Sequence, residues 1–61
     1  MKASELKRLL KAGGCRFLKD GGEHETWFSP ITGKKLRVPR HQAKEVATGT
    51  ADRILKDAGL K

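Results

Sequence analysis

Apolar positions recur with two periods along this chain. Leu6, Leu9 and Leu10 stand at i, i+3 and i+4, the spacing of one stripe on a helix, while Lys7, Arg8 and Lys11 fall on the other side. Ser4 suits the N-cap, and Gly13-Gly14 suits the end, because glycine readily takes the left-handed conformation after a last helical turn. The spacing predicts a helix from about Ser4 to Ala12. Near the other terminus Ala51, Ile54, Leu55 and Ala58 give i, i+3, i+4 and i+7, with Thr50 as cap, Asp52 in the first turn and Gly59 as stop.

Between these stripes the pattern shortens. Cys15 to Lys19 reads as a strand with Cys15 and Phe17 on one face. His24 to Phe28 is rich in aromatic and β-branched residues, and Lys35 to Val38 alternates Lys, Leu, Arg, Val. Asp20-Gly21-Gly22-Glu23 and Ser29-Pro30-Ile31-Thr32-Gly33-Lys34 are turn signals. Pro39 ends the third strand. Arg40 to Gly49 reads as loop with one helical turn around Lys44–Ala47.

The order is helix, strand, strand, strand, helix. Two short connections make the sheet an antiparallel meander, and both helices bury their stripes on one of its faces. This is the α+β order of a double-stranded-RNA-binding domain, in shortened form, and residues 1–61 make one domain.

Charge narrows the function. Fourteen Lys and Arg against seven Asp and Glu give +7 in 61 residues. Nucleic acid is the polyanion that rewards such clustering, and an acidic protein is the other. One cysteine excludes a disulfide framework and a cysteine zinc site. Two histidines without companion ligands make a poor metal site, so neither metal nor cofactor is expected. No apolar run nears the roughly 20 residues of a membrane span, and no signal peptide is visible, so the expected compartment is the cytoplasm.

His24 is the leading candidate for chemistry. It follows a Gly-Gly turn, opens a strand and lies among cations. Imidazole changes charge near neutrality, so it can take a proton from a ribose 2′-hydroxyl or give one to a leaving oxygen. Gly22 supplies the turn and leaves bare backbone for RNA to approach. Lys34, Lys35, Arg37, Arg40 and His41 contain no acid among them and read as a phosphate-contact patch or as a solvated, aggregation-resistant strand edge. His41 fits either a second acid/base group or a structural hydrogen-bonding role. Trp27 and Phe28 are adjacent on a strand, so one lies under the helices and the other faces outward, where it can stack on a base.

In order and at this length the pieces form a pattern. Leu9-Leu10 with Gly13-Gly14, Gly22-Glu23-His24, Pro30-x-x-Gly33, Val38-Pro39-Arg40-His41 and Gly49-Thr50-x-x-x-Ile54-Leu55-x-x-Ala58-Gly59-Leu60 together resemble the HicA toxins, over essentially the whole chain. The resemblance implies a double-stranded-RNA-binding-like fold, cleavage of mRNA that stops growth, and a HicB-like antitoxin that covers the active site in a hetero-oligomer. It places the family's catalytic histidine at His24. Glu23 departs from the usual small Ser, and Glu25 stands where many members carry a second His or an apolar residue. Both are expected to set negative charge beside His24. Two alternatives to a metal-independent endoribonuclease stay open at this level: a non-catalytic RNA-binding module, and a basic protein that docks an acidic partner.

Overall fold

A computed structural model describes residues 1–61. The elements are α1 (Ala3–Ala12), β1 (Arg16–Asp20), β2 (His24–Phe28), β3 (Lys35–Pro39) and α2 (Thr48–Asp57). The three strands form one antiparallel sheet in the order β1-β2-β3. The expected α-β-β-β-α architecture is therefore the observed one. No helix is long and apolar enough to cross a membrane.

One face of the sheet carries the core. Trp27 pairs with Leu36, and Glu25 pairs with Val38, so these four side chains share the helix-facing side. Ala3, Leu6 and Leu10 of α1 and Ala51 and Ile54 of α2 close over them, joined by Ala58, Cys15 and Val46. Of the aromatic neighbours, Trp27 is the one inside, and Phe28 faces outward, half-buried. The helices lie over β3, and all five residues of β1 remain exposed. Phe17 lies on the same face as Trp27 yet is 49% exposed, because it sits beyond the helices' reach.

Three local expectations change. The buried stripe of α1 is Ala3, Leu6, Lys7 and Leu10, and Leu9 is 44% exposed. The helix is rotated so that a lysine replaces a leucine inside, for a reason that belongs to the site below. Second, Ser4 does not cap α1. The first free N–H groups are satisfied from a distant loop, with Ala3 donating to the Lys44 carbonyl at 2.8 Å and Ser4 to the Gln42 carbonyl at 3.0 Å. Third, the segment around Lys44–Ala47 is extended. Glu45 bridges antiparallel to Lys2, and the Val46 N–H donates to the Met1 carbonyl at 2.8 Å. The α-amino group of Met1 donates to Glu45 at 2.9 Å and holds that carboxyl below its usual range through the hydrogen bond and its charge. With this segment extended, α2 begins at Thr48 and Thr50 falls inside its first turn rather than at its cap.

The end of α1 shows why two glycines stand together. Gly14 adopts φ +92°, and Gly13 lies against Leu60, where a β-carbon would come within 2.3 Å of a methyl group. At the far side of the core the buried Ser29 hydroxyl donates to the Ala58 carbonyl at 2.6 Å, tying the β2–β3 turn to the end of α2.

Candidate active site

His24 begins β2, directly after the β1–β2 turn. That turn is held from within and from outside. Gly21 N–H donates to the His24 carbonyl at 2.8 Å, and Gly22 N–H donates to the Asp20 carboxylate at 3.1 Å. Gly22 has φ +90°, a conformation that side chains resist, and no atom lies within 4 Å of where its β-carbon would be. The backbone here is uncovered. From the other side Arg40 braces the turn: its Nε lies 3.2 Å from Asp20, its backbone N–H donates to the Glu23 carbonyl at 3.1 Å, and a guanidinium N–H reaches the Gly22 carbonyl at 3.4 Å.

The strand register decides which side chains His24 meets. His24 pairs with Pro39, Thr26 with Arg37 and Phe28 with Lys35 across to β3. Arg16 pairs with Phe28, and Lys19 with Thr26, across to β1. All of these lie on the face away from the helices, so His24, Arg37, Lys35, Arg16 and Lys19 share one surface with no carboxylate among them. Lys19 reaches it through a β-bulge. The pairing steps from Phe17–Trp27 to Lys19–Thr26, and the extra residue, Leu18, is left over. Strict alternation would have put Lys19 on the helix face.

Arg37 lies against the candidate catalyst, with a guanidinium nitrogen 3.4 Å from His24 Nδ1. A guanidinium only donates, so this contact suits a ring whose Nδ1 carries the lone pair and whose Nε2 carries the proton. Glu23, His24, Pro39, His41 and Lys44 line a small pocket of about 140 Å³. His41 thus shares a wall with His24, and Lys44 joins them because the segment that follows it is extended rather than the expected helical turn. Lys34 and Lys35 lie at the other end of β3. Lys35 is four residues from Pro39, about 13 Å along a strand. They extend the basic surface rather than touch the ring. Phe28 is no free stacking platform either, since the Arg16 guanidinium lies 5.7 Å from its ring centre.

Glu25 requires a correction. Strand alternation places it on the helix side, away from the His24 ring, and its charge is met there. Lys7 Nζ lies 3.1 Å from its carboxylate, and Trp27 Nε1 donates to the same carboxylate at 3.0 Å. Lys7 also donates to the Arg40 carbonyl at 2.8 Å. This pairing explains the rotation of α1: a lysine with both partners inside is accommodated where an unpaired one would be expelled. The same ammonium links α1 to the segment that carries Arg40 and His41. Sequence did hold a signal, since Ala3, Leu6, Lys7 and Leu10 keep the i, i+3, i+4, i+7 spacing once a lysine is admitted to the stripe. Glu23 does stay beside His24, in the shared pocket.

Residues 3–60 match the HicA toxins of bacterial toxin–antitoxin systems. The chain belongs to the HicA toxin family. A HicA relative from Photorhabdus laumondii, described as a probable mRNA interferase HicA 2, is 44% identical over 61 residues, all of both chains. A probable mRNA interferase HicA from Pseudomonas fluorescens is 41% identical over all of this chain and 98% of its own. Among solved structures, a chain from the crystal structure of the E. coli HicAB toxin–antitoxin complex superposes with a TM-score of 0.81 at 30% identity, covering 98% of this chain and 100% of that one. In this chain the family's fold carries a half-buried histidine at the start of β2, on a sheet face lined with cations.

Proposed function

We propose that residues 1–61 act as one HicA domain, the toxin of a toxin–antitoxin pair, and that it is an endoribonuclease that cuts mRNA in the cytoplasm. One observation carries the catalytic assignment: His24 is held by the β1–β2 turn on a cationic sheet face, with Arg37 at 3.4 Å from its ring and Glu23 the one carboxylate in its pocket. RNA brings its own nucleophile beside the phosphate, so a proton carrier and positive charge are sufficient. The ribose 2′-oxygen attacks phosphorus and the bond to the 5′-oxygen breaks. His24 moves the proton that leaves the 2′-hydroxyl or the one that reaches the 5′-oxygen, without a metal. The products are a 2′,3′-cyclic phosphate and a 5′-hydroxyl. Arg37 stabilises the charge that grows on the phosphoryl oxygens. Gly22 lets the strand approach, Lys34 and Lys35 hold phosphates, and Arg40, paired with Asp20, keeps the turn in place. His41 flanks the reacting group. The E. coli relative was solved in a toxin–antitoxin complex, which supports a HicB-like partner for this chain.

The test is cleavage of single-stranded RNA by the purified chain in EDTA, beside a His24→Ala variant with the parent's circular dichroism spectrum. Cleavage by the parent alone, with cyclic phosphate ends, is the expected result. Products ending in a plain 3′-hydroxyl would refute the 2′-hydroxyl mechanism. RNA binding by both proteins with cleavage by neither would leave a binding module.

A further inference from the structure

The largest cavity on the molecule is not the His24 pocket. It is a groove of about 600 Å³ between α1 and the uncovered part of the sheet, on the helix side. Its α1 wall presents Arg8 and Lys11, both exposed and neither in an ion pair. Its sheet wall presents Phe17, half-exposed, whose ring is propped edge-to-face by buried Trp27 with centroids 6.4 Å apart. The one carboxylate in the groove, Glu25, is neutralised by Lys7 at 3.1 Å. The groove therefore offers an aromatic ring held in place and two unmatched cations, and its only acid is already paired.

It also leads to the site. Gln42 lines the groove, and His41 and Lys44, its near neighbours in the same loop, line the His24 pocket. One loop is the common wall of both cavities. The His24 ring and the groove lie on opposite faces of the sheet, so a strand that reaches both has to pass round this loop at the sheet's end.

We infer that the α1–β1 groove binds nucleotides flanking the scissile bond of a single-stranded RNA, with a base against Phe17 and phosphates on Arg8 and Lys11. This rests on the ribonuclease reading above. Single-stranded recognition combines such parts: every base has a face to stack, and every linkage carries a charge. An acidic protein would use the two cations but has no need of a propped ring.

The experiment uses the full chain and two substrates, a trinucleotide that spans only the His24 pocket and a twelve-nucleotide single strand. Arg8→Ala/Lys11→Ala and Phe17→Leu both alter exposed positions, and circular dichroism verifies their fold. Each variant is expected to lose about tenfold in kcat/KM on the long strand and to leave the trinucleotide unaffected. For the charge variant, binding of a 2′-O-methyl twelve-mer, read by fluorescence anisotropy, should become less salt-dependent, its slope falling by roughly 0.7 for each lost phosphate contact. Equal losses on both substrates, or no loss on the long one, would overturn the groove assignment. So would unchanged RNA binding accompanied by loss of a HicB-like partner, since the groove would then be a protein interface. If the parent cleaves neither substrate, the ribonuclease reading fails, and the anisotropy series still decides whether the groove holds RNA.

Discussion

Replacing Lys7 by methionine tests the physical centre of this structure. The ammonium is almost fully enclosed, with Glu25 at 3.1 Å and the Arg40 carbonyl at 2.8 Å. Methionine fills the space of the stem but leaves a carboxylate with only the Trp27 N–H, and a carbonyl without its donor. Breaking a buried ion pair from one side costs about 3–5 kcal/mol. The Glu25 side chain retains 18% exposure, so water relieves part of the loss and about 3 kcal/mol is the appropriate figure. A chain of this length has roughly 3–9 kcal/mol in total. The melting temperature should fall by about 12–24 °C, since each kcal/mol moves a small domain by about 4–8 °C. Thermal and urea unfolding followed by circular dichroism measures this, with Lys11→Met as the exposed control, which should stay within about 0.5 kcal/mol of the parent. Adding Glu25→Leu should recover part of the loss, because the stranded charge goes with it. A Lys7→Met protein that melts within about 4 °C of the parent, or a double variant less stable than the single one, would refute the pairing as the reason α1 is rotated.

Other outcomes follow from the same geometry. Leu10→Ala should cost about 2–5 kcal/mol and Leu9→Ala well under half of that, which urea midpoints will separate. His24→Ala should melt within a few degrees of the parent and cleave at least about 100-fold more slowly in single-turnover assays. Arg37→Gln should slow the cleavage step itself at saturating RNA, whereas Lys35→Gln should appear mainly as weaker, less salt-sensitive binding. Gly22→Val should destabilise by about 1–2 kcal/mol by forcing a side chain into a left-handed conformation, with calorimetry as the measure.

The sequence made the order of elements legible because each signal was local. The stripe of α2, the Gly-Gly turn and the Lys-Leu-Arg-Val alternation all act within a few residues, and the strands followed them closely. What escaped was set at a distance. Lys7 looked like a surface residue until Glu25, 18 positions on, came to meet it. Ser4 looked like a cap until a loop some forty residues away supplied carbonyls in its place. The same holds at the candidate site. His24 meets Arg37 on one side and His41 on another, since a hairpin and its neighbour strand carry them there. Glu25 is next to His24 in sequence yet apart from its ring in space, because alternation sends strand neighbours to opposite faces. Lys19 was missed because a bulge is not visible in a five-residue run.

The bare edge strand β1 bears on how the molecule moves. It has no helix above it, its residues are all exposed, and the ladder to β2 is its principal attachment. Little surface is uncovered when such a strand detaches, so its opening belongs to the low free-energy end of the molecule's fluctuations. Amide exchange should be fastest there and slowest at Trp27, Leu36 and Val38. The residues around His24 anchored to β3 and α1 would outlast such openings, while Phe17 would swing away with the strand. An RNA that stacks on Phe17 would then slow exchange along β1, making a loosely held edge the element whose order reports that the strand has arrived.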